Sequence, residues 1–306
     1  MIDGPFGMSW TSSFTGNLHE TTYLYAAPST YYKEVAIIMP NGRPYRFREN
    51  TDGSYTPNPI NHYTLVKNGD GSFDLTLPQS RSKYHYDSTG LLTTETDDYG
   101  NAVSLTYDTN GKLYRVTDTA GSARYLEFTY GADGRVSTVR DSSNRTVSYI
   151  YNASGALTSF SNPVSQLTTY TYVTGRFAPL LSQIKDHWNR TITTITYDSK
   201  DRTATYTEAG ETYTYAYSYQ NDPSKVSKTD SGGKVWVFTF DANSLITSRV
   251  PPSGQGGGTI TSTFNPDGTV ITSTDEAGIK TNYTYNSNGS VSTDRKSTRL
   301  NSSHRL

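Results

Sequence analysis

Five histidines (His19, His62, His85, His187 and His304) are the side chains best suited to proton transfer or metal ligation in this cysteine-free chain. None stands in an HExxH pattern or beside a second ligand at close spacing, so no zinc helix is legible. Asp70, Ser72 and Asp74 in NGDGSFD offer oxygens at alternate positions, as a calcium loop does. The EF-hand glycine and the acidic twelfth ligand are missing, and a β-turn is the expected reading. Asp87, Asp108, Asp118 and Asp141 could in principle pair for acid–base work. Each sits at a reversal, where an Asp side chain bonds its own backbone, and that accounts for them. No G-x-S-x-G elbow occurs. The glycines of PPSGQGGG at 251–258 lack the flanking strand and helix of a phosphate loop, so a lengthened connection is expected there. The expectation is a chain with no catalytic, cofactor-binding or metal site, and hence not an enzyme.

What must position these residues is a repeat. Tyr86, Tyr107, Tyr130, Tyr151, Tyr172, Tyr197, Tyr219, Phe240, Phe264 and Tyr285 follow one another at intervals of 21 to 25 residues. A period of that length marks units supported mainly by neighbouring units. Residues 90–111 show one: a Thr-rich stretch, the turn Asp97-Asp98-Tyr99-Gly100-Asn101, the stretch AVSLTY, and the turn Asp108-Thr109-Asn110-Gly111. Val, Ile, Thr and Tyr between reversals favour strands. Leu105, Phe128, Tyr149, Tyr170, Ile195, Tyr217, Phe238, Ser262 and Tyr283 stand two residues before the markers, which places marker and partner on one strand face. Leu92, Leu113, Val136 and Leu157 follow a turn glycine by two, but the next apolar residue is often three further on, a spacing that a β-bulge would reconcile.

Hydrophobic residues make up 33% of the chain, yet 26 of its 306 residues are Tyr. Such aromatic content speaks for a packed β array and against disorder. About twenty short strands exceed a comfortable flat sheet, so curling or wrapping is expected.

The segments YDSTG (86–90), YDTNG (107–111), YGADG (130–134), YNASG (151–155), FNPDG (264–268) and YNSNG (285–289) resemble the YD repeats of the RHS family. DDYGN, DTAGS, DSSNR, DHWNR, DSGGK and DEAGI match its alternate turn. YVTGR, one residue short, departs from the pattern, as do YDSKD and FDANS, where Asp201 and Ser244 replace glycine. GPFGMSW (4–10), PNGRPYRFREN (40–50) and DGSYTP (52–57) resemble the segment that leads into such repeats. The resemblance implies an all-β fold, a YD-repeat β-hairpin array curling into part of a hollow spiralling shell. It also implies a structural role: enclosing or presenting a C-terminal polypeptide such as a toxin, in a secreted or cell-surface bacterial protein, with a downstream core and payload as partners. Extracellular recognition or adhesion, with a protein or carbohydrate ligand, is the alternative that teneurin-like members suggest.

The expected divisions are a lead-in region at 1–85, the array at 86–293, and a foreign tail at 294–306. DRKSTRLNSSH at 294–304 is the translation of a common sequencing-adapter read-through, and the expectation is a fragment whose repeat breaks off at Thr293. The whole chain carries 27 Lys and Arg against 28 Asp and Glu, and the part before residue 294 carries 23 against 27. No positive field is left to recruit nucleic acid. No apolar run approaches the roughly twenty residues of a membrane span. The N-x-Ser/Thr triplets at Asn144, Asn152, Asn189 and Asn282 are what Thr-rich strands produce by chance.

Overall fold

Turn chemistry organises the chain. Asp108 shows the pattern: its amide donates to the Lys112 carbonyl (2.8 Å) and Gly111 donates back to the Asp108 carbonyl (3.0 Å). Its Oδ1 accepts the amides of Asn110 (2.8 Å) and Lys112 (2.9 Å). Asp87 and Asp141 make the same two backbone contacts through Oδ1, and Asp118 accepts the Ala120 amide. These carboxylates are turn caps, as their positions in the sequence suggest. The fourth turn residue takes left-handed φ even without glycine: Asn144, Asn189, Asp201 and Ser244 all have φ of 63°. The two departures at Asp201 and Ser244 therefore keep the turn and carry its strain.

The computed structural model describes residues 3–8, 10, 12–14, 16–25, 30–39, 44–57, 63–77, 80–120, 124–218, 224–254, 256–266, 268–286 and 291–296. These residues form β-strands and turns, with no α-helix among them. Contacts divide the chain into two compact units, Met1–Thr191 and Ile192–Leu306.

In the first unit, Asn17–Tyr25, Thr30–Ile38, Pro44–Glu49 and Tyr55–Pro57 make an antiparallel four-stranded meander. A second sheet begins at Thr64–Lys67, ahead of the first aromatic marker. It proceeds in chain order through Phe73–Leu77, Ser82–Tyr86 and Leu92–Thr96 to Pro179–Lys185, each strand antiparallel to the next. The strands Thr64–Lys67, Phe73–Leu77 and Ser82–Tyr86 thus pair in the same hairpin order as those that follow. In the second unit the same hairpin order runs from Thr191–Tyr197 to Val291–Lys296. That last strand pairs Asp294, Arg295 and Lys296 with Tyr283, Asn282 and Thr281, three residues beyond the boundary expected at Thr293.

The irregular spacing of the first strand is a bulge. Tyr107 faces Leu113 while Thr106 faces Arg115, leaving Tyr114 as the extra residue. The same slip sets Tyr130 against Val136, Tyr151 against Leu157, Tyr172 against Leu181 and, in the second unit, Phe264 against Val270. Where the bulged residue is Ser or Thr its hydroxyl bonds across the hairpin, as Thr158 does to the Ile150 carbonyl (3.0 Å) and Ser182 to that of Thr171 (3.0 Å). The slip turns a three-residue apolar spacing onto one face. Leu105 lies opposite Val116, Phe128 opposite Val139 and Tyr149 opposite Phe160. In the second unit Ile195 faces Tyr206 and Tyr217 faces Val226, but further along the partners turn polar: Phe238 faces Arg249, Ser262 faces Ser273 and Tyr283 faces Asp294. Accordingly, the buried hydrophobic residues among those described all fall between Phe6 and Leu157.

Candidate functional site: a tyrosine-clamped face and the segment that covers it

The marker tyrosines reach back across the alternate turn to the preceding YD hairpin. Tyr107 donates its hydroxyl to the Leu92 carbonyl (2.6 Å), Tyr130 to Leu113 (2.9 Å), Tyr151 to Val136 (3.0 Å) and Tyr172 to Leu157 (2.7 Å). Each acceptor is the residue just before a bulge, where the ladder is locally disrupted and a carbonyl gains from an outside donor. In the second unit Tyr285 does the same to Val270 (3.0 Å). Tyr217, expected as a partner rather than a marker, reaches Thr203 (2.9 Å), while the expected marker Tyr219 lies outside the described residues. Burial raises the pKa values of Tyr107, Tyr130, Tyr151 and Tyr172, that of Tyr130 to about 12. These phenols stay protonated and keep donating at any physiological pH.

In the first unit a short segment near the N-terminus lies over this face. The Val136 amide donates to the Pro5 carbonyl (2.8 Å), Met8 donates to the Gly155 carbonyl (3.1 Å), and Leu18 donates to that of Gly90 (2.9 Å). Phe6 sets its ring edge-on to Phe128 (6.4 Å between centroids) and Tyr149 (5.3 Å). Trp10 packs on Tyr170 (5.1 Å) and donates Nε1 to the Tyr172 hydroxyl (3.0 Å), which therefore accepts from the strap while donating to its own sheet. A turn glycine makes the close approach at Leu18 possible: a Cβ on Gly90 would stand 2.2 Å from the Leu18 carbonyl oxygen. Within the sheet, one on Gly155 would stand 2.2 Å from the Arg135 guanidinium. A cavity of about 480 Å³ remains beside the strap, lined in part by Pro5, Trp10, Ile38, Tyr107 and Tyr130, with Lys112 and Arg135 at its polar side. The sequence marks this segment only through GPFGMSW, whose Phe6 and Trp10 belong to no strand alternation.

The residues with chemical potential are dispersed. His85 Nδ1 meets Asp74 Oδ1 at 2.6 Å, a pairing that sequence spacing did not suggest. Asp70 Oδ1 accepts from the Ser72 amide (2.9 Å) and hydroxyl (2.6 Å), and Asn68 Nδ2 donates to Ser72 (3.0 Å) and Asp74 (2.9 Å). The Asp70–Asp74 group is thus a self-bonded turn. Burial pushes the Asp74 carboxyl up, but the bonds from His85 and Asn68 outweigh it and hold its pKa below the usual range. His19 is exposed; His187 stacks on Trp188 (3.5 Å) and lies 3.4 Å from Gln166. His62 and His304 lie outside the described residues. Among the described residues no group of three or more His, Asp or Glu could hold a metal ion, and no helix is long and apolar enough to cross a membrane. At the end of the 251–258 stretch, Gly258 donates to the Glu276 carbonyl (2.8 Å).

No family model and no curated protein sequence matches the chain. Solved structures with a related course of backbone include TcdB2-TccC3-Cdc42, at 10% identity and a TM-score of 0.44, covering 87% of this chain and 17% of that one. A Photorhabdus luminescens Tc holotoxin pore matches at 11% identity and 0.41, covering 87% and 18%. A porin-like protein from Bacteroides uniformis matches at 12% identity and 0.17, covering 94% and 96%. The chain spans under a fifth of the toxin-complex chains. Likeness at this level fixes neither family nor role.

Proposed function

We propose that this chain is a non-enzymatic wall segment of an RHS/YD-repeat shell that encloses or presents a C-terminal polypeptide such as a toxin, in a secreted or cell-surface protein. The observation that carries the reading is the bond from the marker hydroxyls of Tyr107, Tyr130, Tyr151, Tyr172 and Tyr285 to a carbonyl of the preceding YD hairpin, which couples successive hairpins into a continuous wall. The YD and alternate-turn motifs of the sequence support it. The test is protease protection in a protein that joins this array to a C-terminal polypeptide. A downstream segment that survives protease when joined to the array, and is degraded when expressed alone, supports enclosure. Equal degradation in both contexts sinks it.

Extracellular recognition is the second reading, favoured by Trp188, which is 65% exposed at a turn beside His187 and Arg190. Loss of cell-surface binding in Trp188→Ala, with protease protection unchanged, would select it.

A further inference from the structure

The strap follows the sheet in a way that strand packing does not require. Asp3–Gly4 and Gly7–Met8 pair as a two-stranded hairpin that turns at Pro5–Phe6, and the Trp10 amide donates back to the Gly7 carbonyl (3.2 Å). Pro5 and Met8, three residues apart, bond to Val136 and Gly155 of successive repeats. Phe6 and Trp10 then fall over Tyr149 and Tyr170. Gly7, with φ of 94°, passes where a Cβ would come within 2.8 Å of the Gly155 oxygen and 2.9 Å of the Tyr151 ring. The backbone bonds suit any peptide of this course, whereas the two ring contacts and the glycine passage select a side-chain pattern.

We propose that the face formed by Phe128, Tyr149, Tyr151, Tyr170 and Tyr172 is a peptide-binding groove. Its ligand is a compact, turned segment of the pattern aromatic–glycine–two residues–aromatic, and the occupant is the chain's own N-terminal hairpin segment carrying Phe6 and Trp10, held as a tethered ligand. The groove accepts the same segment in trans once the tethered copy is weakened. This rests on the strap geometry alone and stands apart from whether the array encloses a payload.

The test uses the full chain carrying Phe6→Ala and Trp10→Ala, with a fluorescein-labelled synthetic peptide of residues 3–12 read by anisotropy. Saturable binding at least about tenfold tighter than to the unsubstituted chain is expected. A peptide with both aromatics changed to Ala should not bind. Equal binding to both proteins, or no binding to a variant whose circular dichroism matches the parent, overturns the proposal. If the double variant loses its β-sheet signal, Trp10→Ala alone carries the same comparison. Loss of the sheet in that variant too also overturns the proposal, because the segment would then be an integral core element and not a ligand.

Discussion

The Tyr151 hydroxyl donates to the Val136 carbonyl at 3.0 Å, tying the second strand of one repeat to the first strand of the same repeat and so one YD hairpin to the hairpin before it. The ring is half-buried, so Tyr151 couples apolar packing to a directed bond at one position. Removing only the bond should cost little, and removing the ring more. Tyr151→Phe is expected to lower stability by about 1 kcal/mol. Tyr151→Ala should lose about 2–3 kcal/mol, less than a fully buried aromatic because part of the ring stays wet. Urea denaturation of both variants separates the two contributions.

Tyr86 should behave in the opposite way. It is fully buried, and its hydroxyl has no hydrogen-bond partner among the described residues. A buried donor without a partner bears its desolvation cost uncompensated. Tyr86→Phe is therefore expected to hold or raise the denaturation midpoint, whereas Tyr151→Phe lowers it.

Glycine replacement should grade with what the new methyl meets. Gly155 has φ of 81° and would set a Cβ against the movable end of Arg135. Gly90 has φ of 87° and would set it against the Leu18 backbone oxygen, which cannot swing aside. Gly155→Ala is expected to cost about 1–2 kcal/mol from backbone strain, and Gly90→Ala visibly more. Equal midpoints in thermal melts would contradict this order.

At Ser244, with φ of 63°, the reverse change should help. Ser244→Gly relieves left-handed strain and is expected to stabilise by about 0.5–1 kcal/mol, read from the same melts.

Two pH limits follow from opposite shifts. Burial, with Glu95 adding charge repulsion, raises the Tyr84 pKa to about 12, and burial raises that of Tyr130 likewise. Their stabilisation is fully present below the unfolded value near 10 and is lost as pH rises from there towards 12. At the acid end, hydrogen bonds from Arg115 and Arg140 hold the Glu127 pKa at about 2. That stabilisation is present above the unfolded value near 4.5 and disappears as pH falls towards 2. Phenolate absorbance should rise together with loss of sheet in the alkaline limb. Glu127→Gln should flatten part of the acid limb and leave the alkaline one unchanged.

Much of this architecture is local and therefore legible in the residues. Asp and Gly spacing sets the turns because an Asx side chain and a left-handed φ act within five residues, as at Asp108–Lys112. The two-residue step from Phe128 to Tyr130 fixes a face because strand side chains alternate. The bulges were visible as an irregular spacing, and the hairpin pairing placed them at Tyr114 and its equivalents. The extent of strand pairing at Thr64 and at Asp294 could not be read that way, since it depends on partners across a hairpin and not on motif identity. The tyrosine-to-carbonyl bonds and the strap were decided by tertiary structure alone. A hydroxyl finding a carbonyl some fifteen residues back, or Trp10 finding Tyr172, depends on distance in space, and no local propensity encodes that.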